Sequence, residues 1–130
     1  MKILVGYDGS NVSKEAILIA EKHAAAFKAE IILVTTMVGG PEVPRKDFED
    51  AERSLDYEKN ILLDKKLPCK SFLSVRGLQA GEDLVLLAEE HKVDEIIIGV
   101  RRRSKVGKLL FGSTAQYVVL NAPCPVVTVK

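Results

Sequence analysis

The chain has 130 residues, a length that fits one domain with a single buried core. Nineteen basic and eighteen acidic residues give a net charge of +1, which argues against attraction of the whole domain to nucleic acid or to an anionic membrane. The apolar runs are far shorter than the roughly 20 residues of a membrane span, and the opening MKILVGYDGS lacks the apolar stretch of a signal peptide. We therefore expect one cytoplasmic domain over residues 1–130, with any electrostatic function confined to a local patch.

Apolar runs of strand length alternate along the chain with longer amphipathic segments. The runs are KILVGY, EIILVTTM, KSFLSV, EIIIGV and PVVTVK. This alternation is typical of crossover units that build a parallel sheet, and the continuity of the runs indicates burial on both faces. The sequence therefore predicts an α/β fold in which a doubly wound, five-stranded parallel sheet forms the middle layer of a three-layer sandwich.

The segments between the runs have helical periodicity. The first helix is predicted to begin with Ser10 or Ser13 as its N-cap. Its predicted inner face consists of Ala16, Ile17, Ala20, Ala24 and Phe27. Glycines and prolines in VGGPEVPRKDFED predict a loop, long enough to be a lid, before helical periodicity resumes at Asp50.

Two further helices are predicted in the second half of the chain. AGEDLVLLAEEHK has an apolar stripe at Leu84, Leu87 and Ala88, and STAQYVVLNA ends before Pro123. His23 and His91 fall within predicted helices, away from the strand ends, so we expect neither to be catalytic. Cys69 and Cys124 are too far apart for a metal knuckle and too few for a disulfide framework, and we predict two reduced thiols.

A cluster of cations follows the fourth predicted strand. Residues 99–113 include Arg101, Arg102, Arg103, Lys105 and Lys108, with no Asp or Glu. Next to them, a helix that begins at Gly112-Ser113-Thr114 would present free backbone N–H groups and the positive end of its dipole, a seat for phosphate. Two simpler interpretations remain open from the sequence: Ser113 caps the helix, and the cations form a solvated turn or a patch that touches RNA. No aromatic residue lies between Val100 and Leu110, so a stacking platform for RNA is not evident.

The strand ends also carry the residues that matter for ligand binding in this class of sheet. Ligands bind beyond the carboxyl ends of parallel strands, at the point where strand order reverses. The first predicted strand ends in GYDGS, with Asp8 just beyond it, and the fourth ends in Gly99. We expect these two strands to flank the switch point.

Two long segments resemble the universal stress protein family. DEIIIGVRRRSKVGKLLFGSTAQYVVLNAPCPVVTVK resembles its carboxyl-terminal half, and MKILVGYDGSNVSKEAILIA resembles its opening strand and helix. The resemblance spans nearly the whole chain and is weakest between Val38 and Pro68. ATP-binding members carry the pattern G-x-x-G-x9-G-S/T, which falls here on Gly99, Arg102, Gly112 and Ser113. Arg102 therefore stands where the family has its second glycine.

The resemblance implies a stress-response regulator or adaptor that binds ATP, or AMP or ADP, with Mg²⁺ and hydrolyses it slowly or not at all. It implies a carboxylate, Asp8, near the ribose or a phosphate-bound Mg²⁺, and main chain around Thr36 against the adenine. The other implied binding residues are Ser10, Gly99, Arg102, Gly112, Ser113 and Thr114. An Asx turn before Gly9 is the structural alternative for Asp8. Two other functions remain open: an interaction module of the same family without nucleotide, and a weak ATPase or phosphotransferase.

The last apolar run is predicted to be an edge strand. PCPVVTVK, Pro123–Lys130, carries valines at positions 126, 127 and 129, and an apolar edge of this kind invites pairing with another chain. The family resemblance implies a homodimer in which the final strands of two subunits meet antiparallel.

Arg102 is the position at which the sequence makes a directional prediction. Glycine lets a backbone approach phosphate closely, whereas arginine either obstructs the site or replaces the backbone contact by bidentate guanidinium contacts. We expect Arg102→Ala to lose ATP affinity and Arg102→Gly to change it at least severalfold. Calorimetric titration measures both variants. Tighter binding by Arg102→Ala than by the parent would identify the arginine as an obstruction.

Overall fold

The computed structural model describes residues 1–100 and 112–130. These residues form the strands β1 (Lys2–Gly6), β2 (Glu30–Met37), β3 (Cys69–Val75), β4 (Glu95–Gly99) and β5 (Val126–Val129). They also form the helices α1 (Asn11–Phe27), α2 (Arg45–Asp64), α3 (Ala80–His91) and α4 (Ser113–Asn121). Among the helices of these two ranges, none combines the length and apolar composition that a membrane crossing needs.

The strands pair in parallel in the order β3-β2-β1-β4-β5. In the centre, Leu4 of β1 lies opposite Ile32 of β2 and Ile96 of β4. The chain runs outward from β1 to β3 and then returns to β4 on the other side of β1. Strand order therefore reverses between β1 and β4, which confirms the predicted doubly wound sheet and its switch point.

The central strand β1 is buried on both faces, as its continuous apolar run predicts. Ile3, Leu4 and Val5 are each 0% exposed. Val5 packs in a cluster with residues of α1 and α2, whereas Leu4 packs in a second cluster with residues of α3 and α4. Burial of one such side chain contributes about 1.5–3 kcal/mol, so the two clusters hold the helices on opposite faces of the sheet.

Helix α1 begins as predicted, but its last turn differs from the prediction. Ser10 is the N-cap, and its side chain accepts a hydrogen bond from the Ser13 N–H. The residues Ala16, Ile17, Ala20 and Ala24 are buried as expected. Phe27 is 60% exposed, so its predicted place on the inner face is wrong. The reason is length: a helix of 17 residues is about 25 Å long, whereas the five-residue strands β1 and β4 beneath it are each about 17 Å long, so the helix is longer than these two strands.

Helix α2 begins at Arg45, earlier than the predicted Asp50. Pro44 is the N-cap with φ −61°, and its carbonyl accepts a hydrogen bond from the Asp47 N–H at 3.0 Å. Proline suits this place before the helix because it has no N–H to satisfy and its fixed φ fits the extended conformation of Pro44, and an acidic side chain such as Asp47 favours the positive end of the helix. The prediction treated both residues as loop. The loop before α2 is therefore residues 38–44, shorter than the predicted lid.

Strand β5 lies at one edge of the sheet, in agreement with the prediction. The N–H of Ile96 donates to the Pro125 carbonyl at 3.0 Å, and the N–H of Val100 donates to the Val129 carbonyl at 2.6 Å. Alternate residues of a parallel strand direct their backbone groups to the same neighbour. The N–H of Val127 therefore faces β4, and that of Val126 faces away from the sheet.

Two proline substitutions distinguish the two sides of β5. Val127→Pro removes an N–H that faces β4, so we expect it to lower the free energy of unfolding by about 1–3 kcal/mol. Val126→Pro removes an N–H that faces away from β4, and we expect a smaller loss. Thermal unfolding at a concentration at which the parent is monomeric measures both variants, and equal losses there would contradict this register.

Candidate functional site

A cavity of about 390 Å³ lies at the carboxyl ends of β1 and β4, where strand order reverses. Its lining includes the predicted site residues Asp8, Ser10, Thr36, Gly99, Gly112, Ser113 and Thr114. Arg102 and the cations around it lie outside the described residues. The residues that the sequence places on three different strand ends and one helix start thus share one cavity.

The turn after β1 brings Asp8 to the cavity. The Asp8 Oδ1 atom accepts a hydrogen bond from the Ser10 N–H at 2.9 Å, and Gly9 between them has φ +83°. This is an Asx turn, the structural alternative that the sequence left open, and glycine supplies the left-handed φ that the turn requires. Asp8 is nevertheless exposed and lines the cavity. The carboxylate therefore stabilises the turn through the Ser10 N–H and also lies at the cavity.

The end of β2 brings main-chain polar groups to the same cavity. The Val34 carbonyl accepts a hydrogen bond from the Tyr7 N–H at 2.8 Å, so the backbone groups of Val34 face β1. Those of Thr36, two residues further on, face the same direction. β1 has already ended at Gly6, and the Tyr7 carbonyl accepts the Thr35 hydroxyl at 2.6 Å. Thr36 therefore directs one N–H donor and one C=O acceptor past the end of β1 toward the cavity.

The first turn of α4 forms the third side of the cavity. Gly112 is the N-cap without a side-chain capping bond, and its carbonyl accepts the Gln116 N–H at 3.0 Å. The N–H groups of Ser113, Thr114 and Ala115 precede this first intrahelical bond, and these residues line the cavity. Ser113 is exposed and is not the N-cap, so capping does not explain it. The helix end offers backbone donors and a hydroxyl to an anion.

Gly99 has a packing role that the sequence pattern does not reveal. A Cβ atom built on Gly99 would lie 2.7 Å from the Val12 carbonyl carbon and 2.8 Å from the Val12 oxygen. The end of β4 and the first turn of α1 are therefore in direct backbone contact. Glycine at this position sets the distance between two walls of the cavity.

Apolar residues that the sequence analysis did not assign to the site also line the cavity. They are Val34, Leu84, Ile98 and Val100, together with Ala80 at the start of α3. The two-residue spacing of Val34 from Thr36 could have identified the first of these, since both lie on the same face of β2. The approach of α3 depends on packing that no local pattern records: a Cβ on Gly81 would lie 2.9 Å from the Tyr117 Cβ of α4.

The donor set fits a phosphate-bound divalent ion better than a resident metal. Within residues 1–100 and 112–130, no group of three or more His, Cys, Asp or Glu side chains could hold a metal ion. Mg²⁺ is commonly held by one or two carboxylates together with substrate phosphates and water. Asp8 lines the same cavity as a helix end suited to phosphate, and this arrangement meets that requirement. The loop of residues 38–44 contributes nothing to the lining, so the predicted lid is not part of this wall.

The cysteines and histidines lie away from this lining. Both thiols are free. Burial raises the pKa of the Cys69 thiol to about 11, and it also raises the pKa of Cys124, which lies near Asp94 and Glu95. In α1, the Nδ1 atom of His23 lies 2.6 Å from the Glu95 Oε1 atom.

Comparisons with known proteins agree on one family. A family model described as the universal stress protein family matches residues 1–130. A universal stress protein of Thermus aquaticus is 32% identical over 134 residues, which cover 98% of this chain and 97% of that protein. A universal stress protein structure from Archaeoglobus fulgidus has a TM-score of 0.90 and 31% identity, covering 100% of this chain and 98% of that one. Another, from the same organism and in complex with dAMP, has a TM-score of 0.85 and 27% identity, with coverage of 100% and 98%.

The contact between Gly99 and Val12 makes a prediction about stability. We expect Gly99→Ala to lower the free energy of unfolding by about 1–3 kcal/mol, because the new methyl group would overlap backbone atoms that cannot rotate away. Gly9→Ala is not a suitable control, since its φ is positive; Ser113→Gly changes the same cavity without overpacking and should cost less. Denaturant unfolding measures both, and an unchanged midpoint for Gly99→Ala would contradict the close approach.

Proposed function

This chain belongs to the universal stress protein family, and we propose that it binds ATP or a related adenine nucleotide, AMP or ADP, together with Mg²⁺. In this proposal residues 1–130 are one cytoplasmic domain that acts as a nucleotide-dependent stress-response regulator or adaptor. The observation that carries it is the convergence of a carboxylate, a free strand end and a helix N-terminus on one cavity. The relative from Archaeoglobus fulgidus that is in complex with dAMP supports an adenine nucleotide as the ligand.

The phosphate chain is assigned to the first turn of α4. The amide groups of Ser113 and Thr114 and the Ser113 hydroxyl suit phosphate oxygens, and Gly112 leaves the helix end without a competing side-chain cap. Gly99 lines the opposite wall. Arg102 would add a guanidinium to the same phosphates, and its substitution is the test of that part of the proposal.

The nucleoside is assigned to the ends of β1 and β2. The outward N–H and C=O of Thr36 are complementary to an adenine edge, which presents one acceptor and one amino donor. Asp8 suits the ribose hydroxyls or the Mg²⁺, and Ser10 adds a hydroxyl beside it. The apolar residues Val34 and Ile98 provide an apolar surface for the base.

Slow or absent hydrolysis is part of the proposal. Among the described residues of the lining, Asp8 is the one acidic side chain, and neither histidine belongs to that lining. A carboxylate engaged with the Ser10 N–H and with Mg²⁺ is a poor general base for water. Phosphate release measured on a nucleotide-binding preparation distinguishes this regulator from a weak ATPase.

Mg-ATP should stabilise the fold, and Ser113 should contribute to its binding. Ligand at a hundredfold excess over Kd stabilises the native state by about 2.7 kcal/mol, which raises the melting temperature.

We expect Ser113→Ala to weaken ATP binding by about 1.5–3 kcal/mol, the range for a hydrogen bond to a charged group. Calorimetry and thermal unfolding measure both effects. Coincident melting curves with and without millimolar Mg-ATP, with no heat of binding, would favour the interaction module.

The proposal also includes a homodimer formed through Pro123–Lys130. Its support is the edge position of β5 and the outward direction of the Val126 N–H. Antiparallel pairing of two such edges would close a two-fold dimer and leave neither edge open.

Sedimentation across micromolar concentrations tests the dimer. We expect the parent to sediment as a dimer and Val126→Pro to shift it toward monomer, because the substitution removes an outward donor. Ser71→Pro is the matched control: by the Ile31–Pro68 hydrogen bond of 2.8 Å, the Ser71 N–H faces away from β2 on the opposite edge of the sheet. A parent that remains monomeric throughout, or equal effects of the two prolines, would exclude pairing through β5.

A further inference from the structure

Ser13 is a buried hydroxyl within the wall of the cavity. Its side chain belongs to the first turn of α1, and the residue is 3% exposed. The Ser13 Oγ atom donates to the Ser10 carbonyl at 2.8 Å and accepts from the Asp8 N–H at 3.4 Å. One hydroxyl therefore joins the end of β1 to the cap of α1.

Two further hydrogen bonds link Ser13, Ser10 and Asp8. The Ser10 Oγ atom accepts the Ser13 N–H at 3.3 Å, and the Asp8 carboxylate accepts the Ser10 N–H at 2.9 Å. These bonds form a closed ring in which Asp8 binds Ser10, Ser10 binds Ser13 and Ser13 binds Asp8. Gly9, the flexible residue of the turn, lies inside this ring.

The bonds of Ser13 leave its hydroxyl little capacity for a ligand. The proton is used toward the Ser10 carbonyl, so the group cannot donate to a phosphate or a ribose without breaking that bond. Its neighbour Asp8, by contrast, is exposed at the cavity. The direction of the Asp8 carboxylate depends on the backbone at Asp8 and Gly9. Ser13 holds that backbone through its hydrogen bond with the Asp8 N–H.

We propose that Ser13 is a positioning residue for the nucleotide site, whose hydroxyl fixes the Asp8 backbone and thereby directs the Asp8 carboxylate to the ribose or Mg²⁺. This inference rests on the proposed function and deepens it. It assigns a role in ligand affinity to a buried side chain that makes no ligand contact itself.

A double-mutant cycle with Asp8 separates positioning from a general structural effect. We expect Ser13→Ala to weaken Mg-ATP binding about fivefold or more, the loss that follows from removing one hydrogen-bonded hydroxyl. In an Asp8→Ala background the same substitution should cause no further loss, because the residue that it positions has gone. Additive losses in the cycle would overturn the proposal.

Amide hydrogen exchange of the nucleotide-free protein tests the same inference without a ligand. We expect Ser13→Ala to accelerate exchange at Asp8 and Ser10 about tenfold or more, while exchange in β2 and α3 stays at the rate of the parent. Unchanged exchange at Asp8 would overturn the proposal even if nucleotide affinity fell. If the parent binds no nucleotide, the proposed function fails, and the exchange result alone decides whether Ser13 positions Asp8.

Three further variants control for folding and for loss of a buried hydroxyl in general. Ser13→Thr retains a hydroxyl that can reach the carbonyl three residues earlier, so affinity and slow exchange should be preserved. Ser13→Cys has nearly the volume of serine but a weak donor, and it replaces Ser13→Ala if that variant unfolds. Ser74→Ala removes another buried serine, 8% exposed and outside the cavity lining, and should leave nucleotide affinity unchanged. A loss of affinity in Ser74→Ala equal to that in Ser13→Ala would also overturn the proposal.

Discussion

The reversal of strand order between β1 and β4 is the constraint on which the rest of the structure depends. The chain leaves β1 toward β2 on one side and returns to β4 on the other, so neither of these connections runs over the space between the ends of β1 and β4. Complete burial of β1 prevents its displacement, since Ile3, Leu4 and Val5 would all have to leave the core together. The opening is thus a consequence of topology, and the residues around it only decide what the opening holds.

Close backbone contacts give this opening a fixed shape. Gly99 lets the end of β4 touch the first turn of α1, and Gly81 lets α3 lie against α4 next to Thr114. Both contacts are between rigid elements and involve atoms that cannot rotate away. The walls that these four elements form are therefore in place before a ligand arrives, and little of the binding free energy is spent on ordering them.

The sequence predicted which helices and strands form better than it predicted where they begin and end. Apolar runs identified all five strands of residues 1–100 and 112–130. Burial on both faces explains the continuous runs of β1, β2 and β4, whereas the edge strands β3 and β5 are only partly buried, so the expectation of burial on both faces was wrong for them. Asp8 and Gly99 could be assigned to the cavity because each lies at the carboxyl end of a predicted parallel strand, where sheets of this class bind ligands. Phe27 was misplaced because periodicity gives the face of a helix but not how far the sheet extends beneath it. The contribution of Ser13 could not be predicted, since its bonds depend on how the turn after β1 folds back.

The buried thiol of Cys69 bears on how this protein reacts with peroxide. With a pKa of about 11, the Cys69 thiol is almost entirely protonated at neutral pH, and the thiolate is the form that peroxide oxidises. The Cys124 pKa is raised as well. Neither sulfur is therefore chemically suited to be a peroxide sensor. Thiols of lower pKa would react with peroxide before these two do.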